Sequence, residues 1–201
     1  MIITIDGYSW LKKTHTGTRL AQYMGMDFLS TGLWVRLATL EYLKTYDSCI
    51  SKQDAIMQAL DRMKLSDVSD IQDVRLHSEE VEREINNVVS FPFVFPAIGQ
   101  KISDWATNKN IVLDGRRSFD WIPNADVCFY FSSSLENRAA LVQKVKHIPL
   151  PEAMKYILFR DSFEVAVNVP ERAIRIDPFD YSNDRLIDLM VQIIKRMTDE
   201  N

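Results

Sequence analysis

An apolar run, Ile2-Ile3-Thr4-Ile5, stops abruptly at Asp6-Gly7, and Lys12-Lys13-Thr14 follows just where the chain turns helical. A short strand, a glycine and a lysine-hydroxyl pair at a helix start describe a loop whose backbone N–H groups converge on a phosphate. Glycines let such a loop take conformations closed to other residues. The lysine reaches the terminal phosphates and the hydroxyl serves magnesium. Set against G-x-x-x-x-G-K-[ST], the residues Gly7, Lys13 and Thr14 match, but Lys12 stands where the second glycine belongs. Trp10 and Leu11 add bulk where small residues are expected. Lys12 must therefore point away from the anion or replace part of its site with charge. The competing reading is an ordinary strand-turn-helix, which has to accept two lysines opposing the helix dipole.

The rest of the chain repeats the same grammar. Apolar runs at 26–29, 111–114, 127–131 and 173–177 read as short strands. Helical spacing is predicted over about 14–24, 31–46, 54–63, from Ser78 to about 90, to about 107, from 135 to 146, 151–160 and 184–197. Gly25 is a predicted helix stop. Phe91 to Pro96 is predicted to interrupt the helices on either side. The acidic stretch 66–73 reads as a loop or flap. Strands alternating with helices imply a parallel sheet covered on both faces, with ligands at the carboxyl ends of the strands. Asp6-Gly7, Ser30-Thr31, Asp114 to Arg117 and Ser132 to Ser134 all fall at such ends.

Composition narrows the function. With 201 residues the chain has the length of one domain. A formal net charge of -4 argues against wrapping nucleic acid and leaves room for a local basic pocket. The two cysteines, Cys49 and Cys128, are far apart and form no metal-binding pattern; Cys128 reads as a buried thiol. Few cysteines and the absence of a signal-like or membrane-spanning run point to the cytoplasm. The histidines His77 and His147 read as surface residues, while His15 falls beside the phosphate loop.

Two further segments carry a resemblance. Residues 26–40 read Met-Asp-Phe-Leu-Ser-Thr-Gly-Leu-Trp-Val-Arg-Leu-Ala-Thr-Leu, and residues 110–131 contain Asp-Gly-Arg-Arg and Pro-Asn-Ala-Asp. With Ile3-Thr4-Ile5-Asp6-Gly7 in front and Ser78-Glu79-Glu80-Val81 between, the order resembles the bacterial cytidylate kinase family over nearly the whole chain. The resemblance implies a three-layer α/β fold of the P-loop NTPase type, with a five-stranded parallel sheet. It implies one domain over 1–201, with a core of 1–35, 108–150 and 170–201. An acceptor-binding insertion would occupy about 36–107 and a lid about 151–169.

The resemblance also implies roles. Gly7, Ser9, Lys12, Lys13 and Thr14 would hold the phosphate donor, ATP or another nucleoside triphosphate, with Thr14 on Mg2+. Thr31, Arg36, Arg116, Arg117, Arg160 and Glu164 would hold the acceptor nucleotide. Guanidinium forks suit phosphate oxygens. Lys13, Arg116 and Arg160 would be the catalytic cations. The alternative for Arg36 is a helix-face arginine paired with a carboxylate, and for Arg160 a solvated helix end. Trp34 lies beside Arg36 and could line the acceptor pocket, although tryptophans are more often buried anchors.

The chain departs from the family on the donor side. Apolar residues follow Arg160-Asp161 where arginines are usual, Arg117 replaces an acid, and Phe95 replaces an arginine. Lys12, Arg117, Arg172 or Arg175 are candidate substitutes. Two readings follow. One is a divergent nucleoside monophosphate kinase acting on CMP, dCMP or a modified relative. The other is a binding protein that keeps only the acceptor pocket. The partners are small nucleotides, with no membrane and no nucleic acid, and the chain is expected to be a monomer or weak homodimer.

Overall fold

The computed structural model describes residues 1–47, 49–64, 73–162 and 169–199. In chain order the elements begin with β1 (Ile2–Gly7), α1 (Lys13–Met24), β2 (Asp27–Ser30), α2 (Thr31–Thr45) and α3 (Lys52–Arg62). A 3-10 turn (Val74–His77), α4 (Glu79–Val89), α5 (Val94–Ala106), β3 (Ile111–Gly115) and α6 (Ser118–Trp121) follow. The chain closes with β4 (Val127–Phe131), α7 (Leu135–Lys146), α8 (Leu150–Asp161), β5 (Ile174–Ile176) and α9 (Asn183–Asp199). Two compact units result: Met1–Leu29 with Asn108–Asn201, and Ser30–Thr107.

The first unit is built on the predicted five-stranded sheet, in the order β2-β3-β1-β4-β5. β1 pairs in parallel with both β3 and β4, and β4 with β5. Parallel strands covered on both faces need apolar residues at successive positions, which is why the runs read as continuous rather than alternating. Ile3, Ile5, Phe129 and Phe131 meet Leu20 and Ala21 of α1 in one cluster. Leu186, Ile187, Met190, Val191 and Ile194 join them from a single stripe of α9. Toward the other face, Phe119 of α6 lies 6.2 Å from the ring of Tyr130. α7 and α8 pack on each other through Ala139, Val142, Ala153 and Ile157. Cys128 is buried and unpaired by disulfide.

The second unit is helical. α2 packs against α3, α4 and α5, burying Leu33, Trp34, Leu37 and Ala38. Ser51 caps α3 by accepting from Asp54 N, and Ser78 caps α4 by accepting from Val81 N. α5 begins at Val94, earlier than the predicted interruption at 91–96 allows. Pro96 falls in its first turn, where no backbone N–H is needed. α6 and the 3-10 turn are single turns too short to show helical periodicity. Most of the stretch read as a flap, residues 65–72, lies outside the described residues. Among the described residues no helix is long and apolar enough to cross a membrane.

Gly7 ends β1 with φ 145°, and a Cβ there would stand 2.2 Å from the carbonyl oxygen of Phe131, its β4 partner. Backbone cannot give way as a side-chain tip can. Gly7→Ala is therefore expected to destabilise the fold by more than about 3 kcal/mol, read as the shift in a urea unfolding midpoint.

Candidate functional site

Between β1 and α1 the chain makes a tight loop of unusual backbone geometry. Trp10 and Lys12 both have left-handed conformations, with φ of 62° and 58°. The second is the position where the motif places glycine, so the backbone demand is kept and a lysine meets it. For an L-residue that conformation costs roughly 1–2 kcal/mol. The Lys12 ammonium lies 4.6 Å from the centroid of the Phe179 ring, a cation–π contact. Of the two expectations for Lys12, contact outside the loop is the one observed.

Lys13 reaches back across the loop, its Nζ donating to the Tyr8 carbonyl at 2.5 Å. One residue on, Thr14 Oγ1 donates to Asp114 Oδ2 at 2.5 Å. Asp114 is buried near the end of β3. A pocket of about 240 Å³ is lined by residues 10–15 and by Leu141 of α7. Its rim carries Lys12, Lys13 and the exposed His15. The Thr14 hydroxyl and Asp114 carboxylate are hard oxygen donors, the class that suits Mg2+. Among the described residues no group of three His, Cys, Asp or Glu converges.

Asp6, one residue before Gly7, is fully buried. Its two carboxyl oxygens accept from Ser118 N at 3.0 Å and Phe119 N at 3.2 Å. The end of β1 thereby caps α6 and fixes the segment that carries Arg116 and Arg117. Burial pushes the Asp6 carboxyl up to about 7, against the opposing pull of the Ser118 and Phe119 donors and the Lys13 charge.

The bulky part of the loop leans on α7 and α8. Ser9 Oγ donates to Asp161 Oδ1 over a long 3.4 Å. Arg138, nearly buried, donates through Nη1 at 3.2 Å and Nη2 at 2.9 Å to the same carboxylate. Its guanidinium also stands 5.4 Å from the Tyr8 ring centroid. The Trp10 ring meets Tyr156 of α8 edge-on at 6.1 Å.

The remaining candidates separate by unit. In the first unit Arg116 and Arg117 are half-buried between β3 and α6, and Arg117 pairs with Asp120 at 2.8 Å. Arg160 is half-buried in the last turn of α8, and Glu164 lies outside the described residues. Arg172 donates to the Ala125 and Pro123 carbonyls, and Arg175 lies over the Tyr130 ring. Neither contact is to the β1–α1 loop. In the second unit Thr31 is buried as the first residue of α2. Arg36 is ion-paired with Glu82 at 2.7 Å and donates to the Leu76 carbonyl at 3.0 Å. That is the alternative reading for Arg36, a pairing with a neighbouring carboxylate. Trp34 is buried there, and its Nε1 has no hydrogen-bond partner among the described residues.

Asp114, Arg138 and Asp161 were not singled out by sequence as partners of the loop. For Asp114 the signal was present, since it ends a buried strand beside Thr14's helix. Arg138 and Asp161 lie on helices whose spacing says nothing of a distant loop.

The family model for cytidylate kinase matches residues 3–196. The chain belongs to the cytidylate kinase family. A cytidylate kinase of Caldanaerobacter subterraneus subsp. tengcongensis is 29% identical over 217 aligned residues, covering 98% of this chain and 95% of that protein. One from Fusobacterium nucleatum is 23% identical with 98% of both chains covered. Among solved structures, an uncharacterized protein from Eubacterium ventriosum matches with a TM-score of 0.55 at 11% identity and 98% coverage of both chains. A gluconokinase from Sinorhizobium meliloti matches with a TM-score of 0.50 at 12% identity, covering 98% of this chain and 93% of that one. At such identities the likeness is one of fold alone.

Two tests follow for this cytidylate kinase relative. Lys12→Gly should change stability by less than about 1 kcal/mol, because relief of the left-handed Cβ penalty is offset by the lost cation–π contact and by glycine's freedom in the unfolded chain; thermal unfolding reads it. The raised Asp6 value means that between about pH 4 and 7 the folded state holds a proton the unfolded chain has released. That contribution is full at low pH and lost as pH rises through this window. The melting temperature of the wild type should therefore fall relative to Asp6→Asn as pH rises from about 4 to 7.

Proposed function

We propose that this protein transfers a phosphoryl group from a nucleoside triphosphate to a pyrimidine nucleoside monophosphate, CMP, dCMP or a modified relative. The observation that carries the reading is the pairing of Thr14 with Asp114 beside Lys13 at the mouth of the loop. A protein that only bound the acceptor would have no use for that arrangement. The chain's relatives, cytidylate kinases, suggest the acceptor class.

In this reading Lys13 exchanges its bond to the Tyr8 carbonyl for the donor phosphates and neutralises charge as it moves. Thr14 and Asp114 would hold Mg2+, which would supply charge screening of the phosphate oxygens. Gly7 and Ser9 belong to the donor loop, and Lys12 contributes field rather than contact. On the first unit Arg116 and Arg160 serve phosphate oxygens, while Arg117 is oriented by Asp120. On the second unit Thr31 and Arg36 recognise the acceptor, with Arg36 oriented by Glu82 and the Leu76 carbonyl. Glu164 is assigned to the acceptor sugar on the resemblance alone. No general base is needed, because positioning and electrostatics carry most of such a transfer.

One feature favours a second reading, a nucleotide-binding protein with an impaired donor half. The side chain at residue 12 and the bulk at residue 10 occupy positions where the motif keeps phosphates clear of side chains.

Calorimetry with ATP plus Mg2+, and separately with CMP and dCMP, followed by a phosphate-transfer assay, decides between them. Binding of both ligand classes with formation of the diphosphate is expected. Lys13→Ala should then lower kcat/KM by about a hundredfold or more, the loss typical of one charge-stabilising donor. Monophosphate binding without any triphosphate binding would sink the kinase reading.

A further inference from the structure

Trp10, which stands where the motif has a small residue, lies with its neighbours Tyr8 and Ser9 against two helices. Trp10 sits on the α7–α8 cluster, against Tyr156. Ser9, between Tyr8 and Trp10, donates to Asp161, the last residue of α8. Arg138 of α7 holds that same carboxylate with two nitrogens and covers the Tyr8 ring. Tyr8 in turn offers the carbonyl that receives Lys13. One ion pair thus touches the loop at two successive residues and, through the second residue's neighbour, reaches the lysine.

We propose that Arg138 and Asp161 are positioning residues that clamp the phosphate loop, taking over the conformational role of the missing glycine. The proposal rests on reading the loop as the donor-phosphate site. Left-handed Trp10 and Lys12 give the loop a local drive to relax. Something outside it has to oppose that drive. The α7–α8 packing through Ala139, Val142, Ala153 and Ile157 does not itself require an ion pair. A largely buried pair adds little net stability but penalises its own disruption strongly. Arg138, with 8% of its side chain exposed, and Asp161, with 18%, have that character. Disruption of the pair is felt first in the loop it touches, and comparison with a distant element separates that from a loss of overall stability. The pair also links α8, the helix that carries Arg160, to the residues around Lys13.

The test compares full-length wild type, Asp161→Asn and Arg138→Lys. Amide exchange of the ligand-free proteins is followed by mass spectrometry in a peptide covering residues 8–14 and in a peptide from α9. ATP–Mg2+ and CMP affinities are then measured by calorimetry. Asp161→Asn should speed exchange in the loop peptide about tenfold, as expected for losing a charged hydrogen bond, and leave α9 unchanged. Triphosphate affinity should fall by a similar factor while CMP affinity holds, and Arg138→Lys should retain part of both. Unchanged loop exchange in Asp161→Asn overturns the clamp. So does equally faster exchange in both peptides, or an equal fall in both affinities, since either marks general destabilisation. If the loop loosens in the variant but the wild type binds no triphosphate, the clamp stands and the donor-site reading falls.

Discussion

The Phe131 carbonyl leaves no space for a side chain at the end of β1, and much of the first unit is arranged around that contact. β4 lies close enough against β1 to pair Gly7 with Phe131. The chain therefore has to leave the sheet at Gly7 and turn directly into the loop. One residue earlier, Asp6 looks the other way and caps α6 with both oxygens. Two adjacent residues thus set the β1–α1 loop on one side and the Arg116–Arg117 segment on the other. Being consecutive on a rigid central strand, they have little freedom to move independently.

The fold was legible wherever an element carried its own signal. Ile2 to Ile5, Val127 to Phe131 and the stripe of α9 are continuous or periodic for reasons that depend only on which faces are covered. Ser78 with its following glutamates, and Gly25 in the left-handed conformation, marked boundaries through local hydrogen bonding. Pro96 misled because proline ends a helix in its interior but is welcome in its first turn, and spacing alone does not say which turn it occupies. α6 escaped notice because its cap, Asp6, lies far away in sequence.

The loop could be read from sequence as a motif, but the partners of its side chains could not. Lys13 and Thr14 were visible as a motif, but Asp114 became Thr14's partner only through the sheet. Arg117, Arg172 and Arg175, candidates to replace lost arginines, face Asp120, the carbonyls at 123 and 125, and the Tyr130 ring respectively. Sequence counts cations; it does not say which are already occupied.

Divergence in the loop has a consistent physical logic. Replacing glycine normally removes a conformation, and the loop should then refold. Here the backbone keeps its left-handed turns and the side chains find partners outside the loop, Lys12 on Phe179 and Trp10 on Tyr156. Glycine supplies such a conformation at the cost of unfolded-state entropy, because it samples many others. A larger residue samples fewer, so if its side chain is docked it holds the same conformation more rigidly once formed. The exchange is of freedom for anchoring. A loop of this kind depends on the elements it leans on, and its properties then belong to α7, α8 and the Phe179 turn as much as to residues 7–14.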